Sequence, residues 1–137
     1  MGAVTTDLRV GNLMSINPVV IEPDASASEA ERLLKMYRVS GLPVVENSVT
    51  VGVISQTDLV SARSSELVSA NWPQLRVRHL MTTPALTVHV ETSVKRAAEL
   101  MVSRHVHRLV VIDGEDRAVG VVSSLDLLRA LIDDASV

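Results

Sequence analysis

The chain of 137 residues has no cysteine and no phenylalanine, and it contains one tyrosine and one tryptophan. Without cysteine it can form no disulfide, no thiolate metal site and no cysteine nucleophile. So few aromatic rings leave no stacking surface for single-stranded nucleic acid, and a net charge of −3 does not favour a phosphate backbone. No apolar run approaches the roughly 20 residues of a membrane span, and the first residues lack a signal-peptide pattern. These absences predict a cytoplasmic protein with neither membrane nor nucleic-acid partners.

The chain has an apolar content of 47%, which predicts a folded protein with an aliphatic core. Its two halves also align with each other at a nearly constant offset. The clearest aligned pairs are GVISQTDLV at 52–60 with GVVSSLDLL at 120–128, LPVV at 42–45 with LVVI at 109–112, and LMS at 13–15 with LMT at 80–82. Self-similarity of this kind is typical of a duplicated structural unit.

Both copies have the same predicted order of strands and helices. Short runs of β-favouring residues are separated by polar turns at 47–48 and 113–116. The second helix of each copy begins at the serine of a Ser-x-x-Asp sequence. The predicted strands are residues 19–21, 42–45 and 50–54 in the first copy, and 86–88, 109–112 and 118–122 in the second.

The first helix of the first copy is predicted from a capping box, SASE at 26–29, followed by an apolar stripe at helical spacing. The stripe consists of Ala30, Leu33, Leu34 and Tyr37. Residues 61–76 join the copies, beginning as helix and loosening at 71–73, where a proline disfavours helix in the residue before it. We therefore expect an α/β fold of two β-α-β-β-α units, with their sheets packed together as one body.

The repeated Ser-x-x-Asp sequence has two interpretations. As a helix cap, Ser55 with Asp58 and Ser123 with Asp126 would satisfy the free N–H groups of a first helical turn. As a binding site, the same turn would offer N–H groups to a phosphate and a carboxylate to a ribose diol. Duplication does not decide between them, because a duplicated fold duplicates its caps.

The two copies differ in the residues around this turn. Thr57 supplies a hydroxyl that Leu125 lacks, so the two sites should be unequal and the first better equipped at this position. His107 and Arg108 could contact a phosphate, as could Arg38 in the first copy, although exposed cations are often merely solvated. His105 and His107 alone are a weak metal signal.

Catalytic motifs are missing from the sequence. It has no Gly-x-Ser-x-Gly, no phosphate-binding glycine-rich loop, no His-Glu-x-x-His and no paired-carboxylate motif. We therefore expect no enzyme activity, catalytic residues or bound metal, and an enzyme acting on a nucleotide remains an alternative.

In the order, spacing and duplication of these motifs, the chain resembles a tandem pair of CBS domains, a Bateman module. The resemblance covers nearly all of residues 10–131. It implies a first repeat at 1–66, a linker at 67–76 and a second repeat at 77–137, packed sheet to sheet with pseudo-two-fold symmetry.

The resemblance also implies site residues, in clefts between the repeats. Ribose would be bound by Asp58 and Asp126. Phosphate would be contacted by Ser55, Thr57, Ser123, Arg38, His107 and Arg108. The adenine base would lie among Ile21, Leu42, Pro43, Val44, Thr87, Leu109 and Val110.

The function that the resemblance implies is regulation. Paired CBS domains commonly sense AMP, ADP, ATP or S-adenosylmethionine, the last of these being the weaker expectation here. A stand-alone pair would form a homodimer and signal ligand occupancy to a separate protein. The alternative is a ligand-free interaction or dimerisation module in which the aspartates only cap helices.

Overall fold

Two copies of a helix, a hairpin and a second helix recur along the chain. The computed structural model describes the backbone of residues 8–135 and the side chains of residues 8–133. The mixed α/β class predicted from the sequence is confirmed. The helices are α1 (Val10–Leu13), α2 (Ala27–Tyr37), α3 (Gln56–Ser64), α4 (Glu66–Ala70), α5 (Val77–Leu80), α6 (Val94–Arg104) and α7 (Ser124–Ala135). The strands are β1 (Ser15–Ile16), β2 (Gly41–Glu46), β3 (Val49–Ser55), β4 (Thr87–His89), β5 (Arg108–Ile112) and β6 (Ala118–Ser123).

The described residues group into two compact units. One is Val19–Leu86, and the other combines the chain up to Pro18 with the chain from Thr87 onward. The described residues up to Pro18, which the predicted boundaries assign to the first repeat, therefore pack in the unit that also contains the chain from Thr87 onward. The repeat boundaries at 1–66, 67–76 and 77–137 stay a prediction. No helix within residues 8–135 has the length and apolar character needed to cross a membrane.

The unit Val19–Leu86 is built on the antiparallel hairpin β2–β3, paired from Gly41 with Ser55 to Glu46 with Val49. Its turn, Asn47-Ser48, has positive φ at both residues, as two-residue type I′ hairpin loops require. The strand predicted at 19–21 is reduced to a single parallel bridge between Ile21 and Val44.

The core of this unit lies where α2 and α3 pack on the hairpin. The side chain of Ser26 caps α2 by accepting a hydrogen bond from the Glu29 N–H at 3.0 Å, so the predicted helix start is confirmed. The Glu29 carboxylate pairs with Arg32 and does not complete the predicted capping box. Leu34 is buried as the apolar stripe predicts. Tyr37, predicted in the same stripe, is 51% exposed, because α2 ends there.

The linker is fixed to this unit by its tryptophan. After α4, a 3₁₀ turn at Trp72–Gln74 buries the indole, whose Nε1 donates a hydrogen bond to Ser28 Oγ at 3.0 Å. The Arg63 guanidinium lies 3.8 Å from the ring centroid and pairs with Glu31. Burial of the indole, its hydrogen bond to Ser28 and its contact with Arg63 thus hold the Trp72 turn against α2 and α3.

The other unit contains a four-stranded sheet in the order β1-β6-β5-β4. Strands β5 and β6 form the antiparallel hairpin, β4 runs parallel to β5, and β1 pairs with β6 through Ser15 and Val121. Helix α6 is capped by Ser93 and buries Val94, Ala97 and Met101. The second copy thus repeats the hairpin and both long helices of the first, and its sheet has two further strands at the edges, β4 and the β1 strand of residues 15–16.

The glycine that opens each repeated motif permits a close backbone approach. A Cβ atom on Gly52 would lie 2.8 Å from the Thr82 carbonyl oxygen, and one on Gly120 would lie 2.8 Å from the Ser15 carbonyl oxygen. Each carbonyl belongs to the segment that crosses the hairpin of its unit. The absence of a side chain at these two positions therefore lets that segment lie against the hairpin.

Candidate functional site

The turn between β3 and α3 is a reciprocal helix cap. The Asp58 N–H donates to Ser55 Oγ at 3.1 Å, while the Ser55 N–H donates to Asp58 Oδ2 at 2.9 Å. The Ser55 hydroxyl also donates to Asp58 Oδ2, at 2.9 Å. The capping interpretation is thus confirmed for this turn, and one carboxylate oxygen, Oδ1, takes no part in the cap.

The turn between β6 and α7 repeats this geometry. The Ser123 N–H donates to Asp126 Oδ2 at 2.8 Å, and the Asp126 N–H donates to Ser123 Oγ at 3.1 Å. Asp126 Oδ1 lies 4.0 Å from Nη1 of Arg129, which is one turn further along the helix. This carboxylate is therefore fixed by the same cap and has a cation near its second oxygen.

Thr82 contacts the turn between β3 and α3 from a segment that is distant in sequence, and it was not predicted as a site residue. Its Oγ1 donates to Asp58 Oδ1 at 3.3 Å, across a separation of 24 residues. Its backbone pairs with Val53 through two hydrogen bonds, of 2.9 and 3.1 Å. The available sequence signal was the alignment of LMT at 80–82 with LMS at 13–15, which places Ser15 at the corresponding position.

The basic pair predicted to contact phosphate lies beside the second turn. Arg108 is the register partner of Ser123 in the β5–β6 ladder, and the Ser124 N–H donates to the His107 carbonyl oxygen at 2.8 Å. Both side chains are exposed. The structure therefore places His107 and Arg108 at the N-terminus of α7, near Asp126.

The first turn has the same backbone but no cation at these positions. The Gln56 N–H donates to the Ser40 carbonyl oxygen at 2.9 Å, and Gly41 is the register partner of Ser55. Arg38 instead forms the left-handed C-cap of α2, with φ of 54°, where the second copy has His105 with φ of 55°. Arg38 thus corresponds in structure to His105.

Thr57 and Leu125 occupy matching positions in the first turns of α3 and α7, and both side chains are exposed. The hydroxyl predicted to distinguish the first site therefore lies at the helix N-terminus, one residue before Asp58. Within residues 8–135, no group of three or more His, Asp and Glu side chains is placed to hold a metal ion.

The residues predicted to surround a base are largely buried. Leu42 and Val44 have no exposed surface and belong with Ile21 to the core of their unit. Pro43 falls on the opposite face of β2 because successive strand residues alternate. The side chains of Leu42 and Val44 are therefore committed to the core, and a base in this unit would have to contact backbone or neighbouring side chains.

In the other unit, Thr87 of β4 is paired with Val110 of β5 and is half-buried. Leu109 and Val110 are both buried. The two predicted base-contacting residues Thr87 and Val110 are thus brought together across a parallel strand pair.

The helix-capped hairpins and their duplicated turns define a pair of CBS domains. A family profile for the CBS domain matches residues 10–65 and 77–133, and the chain belongs to this family. The resemblance noted from the sequence is therefore confirmed.

Solved structures of CBS-domain pairs resemble this chain along almost its entire length. CBSX2 in complex with AMP is 30% identical, with a TM-score of 0.82 over 93% of this chain and 98% of that one. CBSX2 from Arabidopsis thaliana, in another crystal structure, is 28% identical with a TM-score of 0.83, over 96% and 99% of the two chains. The CBS-domain pair of protein MJ0100, in complex with 5′-methylthioadenosine and S-adenosyl-L-methionine, is 25% identical with a TM-score of 0.78, over 90% and 99%.

Among curated proteins, inosine-5′-monophosphate dehydrogenase of Methanocaldococcus jannaschii is 29% identical over 112 residues. The match covers 81% of this chain but 21% of the dehydrogenase. The chain thus spans about a fifth of that enzyme.

Proposed function

We propose that this chain is a regulatory module that binds adenosine-containing ligands and signals their occupancy to a partner protein. The observation that carries the proposal is the duplicated Ser-x-x-Asp turn. In each copy the cap fixes the carboxylate and leaves Oδ1 outside the cap. A relative with a 30% identical sequence binds AMP.

In this proposal Asp58 and Asp126 accept hydrogen bonds from ribose hydroxyls. A carboxylate held in place before the ligand arrives loses little side-chain entropy on binding. The preorganised cap therefore favours recognition of a sugar diol.

Phosphate groups are proposed to lie at the N-termini of α3 and α7, where backbone N–H groups and the helix dipole favour anions. Their proposed side-chain contacts are Ser55, Thr57 and Arg38 in one unit, and Ser123, His107 and Arg108 in the other. The exposed cations beside Ser123 support this assignment most directly.

The base is proposed to lie against the strands that carry Ile21, Leu42, Pro43 and Val44, or Thr87, Leu109 and Val110. Aliphatic strands suit a planar base because they offer apolar contact without polar groups that need partners. We place AMP, ADP and ATP ahead of S-adenosylmethionine as ligands, and we assign the bound nucleotide a regulatory role without turnover.

A thermal-shift panel with AMP, ADP, ATP and S-adenosylmethionine tests the proposal. A ligand that binds only the folded state stabilises it by about 2.7 kcal/mol at 100 times its Kd. Asp58→Asn keeps an oxygen for the cap but loses the charge, so the first-site part of the shift should fall sharply. Ser26→Ala is the matched control, because it removes a helix cap outside the site and should cost roughly 0.5–2 kcal/mol of stability without changing the shift.

The outcomes separate ligand binding from capping alone. No stabilisation by any of the four ligands would contradict the proposal. A shift that survives both Asp58→Asn and Asp126→Asn would exclude these carboxylates as ribose ligands. Nucleotide recovered unchanged after long incubation is expected, and product formation would favour the enzyme alternative.

Exposed apolar side chains on the helices support a second candidate function, an interaction module. Val60 of α3, Val102 of α6, and Leu131 and Ile132 of α7 are all solvent-exposed. Burying such surface against a second copy would give a homodimer, and burying it against another protein would give a docking module. Sedimentation equilibrium distinguishes the two: Leu131→Asp should reduce the mass of a homodimer, whereas a docking module should sediment as a monomer with or without the substitution.

A further inference from the structure

Asp58 has few hydrogen-bonding positions left for a ligand. A carboxylate offers about four lone-pair sites, two on each oxygen. Oδ2 accepts two hydrogen bonds from Ser55, each of 2.9 Å, and Oδ1 accepts one from Thr82 at 3.3 Å. About one position therefore remains on Oδ1, whereas a ribose diol brings two hydroxyl donors.

Asp126 is less occupied than Asp58. Its Oδ2 accepts one hydrogen bond, from the Ser123 N–H. Its Oδ1 has the Arg129 guanidinium at 4.0 Å, which is an ion pair without a hydrogen bond. Within the described part of the chain no hydroxyl donates to Asp126, although Ser15 stands at the sequence position of Thr82.

Thr82 is not needed to orient Asp58, because the cap already does so through two hydrogen bonds to Oδ2. Its own hydrogen bond, at 3.3 Å, is longer than the usual 2.7–2.8 Å for hydroxyl donors. The backbone of Thr82 is nevertheless fixed by its two hydrogen bonds with Val53. A ligand can therefore displace the Thr82 hydroxyl from the carboxylate. Because the Thr82 backbone is fixed, the displaced hydroxyl stays close to Asp58 and continues to compete with the ligand.

We propose that Thr82 is a specificity-determining residue that competes, from within the chain, with the sugar diol for Asp58 Oδ1. This inference rests on the proposed function. It predicts that Asp58 binds a ribose diol less tightly than its own cap geometry would allow, and that Asp126 has no such competitor. The inequality predicted from the sequence has a different basis, because it rests on the hydroxyl of Thr57, a proposed phosphate contact.

Calorimetric titration with AMP and 2′-deoxy-AMP tests the competition, in an Asp126→Ala background that leaves the first site. Thr82→Val keeps the shape of the side chain and removes the hydroxyl. It should tighten AMP binding by about two- to tenfold, the value of one hydrogen bond. The gain should be smaller for 2′-deoxy-AMP, which offers one hydroxyl fewer. Thr82→Ser keeps a donor and should behave like the parent.

The possible results separate failure of the competition from failure of the proposed function. Tighter AMP binding in Thr82→Val, with a larger ratio between the two nucleotides, supports the competition. Unchanged or weaker binding, or an equal gain for both nucleotides, overturns it while the proposed function stands. Loss of all AMP binding in Asp126→Ala also overturns it, since the first site would then bind nothing. Failure of the unmodified chain to bind any adenosine ligand is the failure of the proposed function itself.

Discussion

Replacing Gly52 with alanine tests whether the close approach of the 81–83 segment supports the fold. The new Cβ atom would lie 2.8 Å from the Thr82 carbonyl oxygen, 3.0 Å from Thr83 Cγ2 and 3.1 Å from Met81 Sδ. The methionine can move, but the Thr82 carbonyl accepts a hydrogen bond from the Val53 N–H at 3.1 Å. Relief of the clash therefore requires a shift of paired backbone.

Overpacking of this kind costs about 1–3 kcal/mol. The alanine also restricts the unfolded chain, which offsets roughly 0.4–1 kcal/mol of the loss. We expect Gly52→Ala to lower the free energy of unfolding by about 1–2 kcal/mol. For a chain of this length, that lowers the Tm by about 4–8 °C.

Thermal unfolding followed by circular dichroism measures the effect against a matched control. A Cβ atom on Gly114 would have no neighbour within 4 Å, and this glycine has no positive φ, so Gly114→Ala should stay within about 0.5 kcal/mol of the parent. Gly120→Ala should resemble Gly52→Ala, because its Cβ would lie 2.8 Å from the Ser15 carbonyl oxygen. If Gly52→Ala melts at the same temperature as Gly114→Ala, the close-approach argument is wrong.

Three further variants test the contacts of Trp72 and Asp113. Trp72→Phe keeps an aromatic ring but loses the hydrogen bond to Ser28, so it should cost about 1 kcal/mol in urea denaturation, whereas Trp72→Ala should cost about 3–5 kcal/mol. Hydrogen bonds lower the pKa of the Asp113 carboxyl. The largest effect comes from the backbone N–H of Arg117, and the Glu115 N–H and the Arg117 side chain add to it. A lowered pKa stabilises the folded state above the unfolded value of about 3.9, and this contribution is lost as the pH falls through the folded pKa. Melting curves between pH 6 and about 2 should therefore show a smaller acid-induced loss in Asp113→Asn, and an equal loss would refute the assignment.

Features that depend on neighbouring residues could be predicted from the sequence. The cap of α2 at Ser26 and the caps of α3 and α7 rest on contacts three residues apart, which appear directly as a spacing. The Asn47-Ser48 turn was also recognisable, because two polar residues between β-favouring runs are typical of a hairpin. The strand predicted at 19–21 was correct only in part, because this short run pairs through Ile21 alone.

Features that depend on distant residues were missed. The Thr82 hydrogen bond to Asp58 spans 24 residues and that of Trp72 to Ser28 spans 44. Neither partner can be predicted from the residue type, since an exposed threonine or a single tryptophan has many possible environments. The placement of β1 beside β6 is of the same kind, because residues 15–16 pack in the unit that also contains residues 120–121.

The duplicated turns are alike in their caps and unlike in their surroundings, and this difference has a chemical consequence. The first turn has hydroxyls, from Thr57 and Thr82, and glycine opposite Ser55. The second has Arg108 opposite its serine, and no hydroxyl among the described residues donates to Asp126 Oδ1, which lies 4.0 Å from Arg129 Nη1. Charge-assisted contacts to phosphate are about twice as strong as neutral ones. Under the proposed function, each added phosphate therefore increases the preference of a nucleotide for the α7 turn. The binding of a neutral nucleoside at the α3 turn would depend instead on the competition between the Thr82 hydroxyl and the ribose for Asp58.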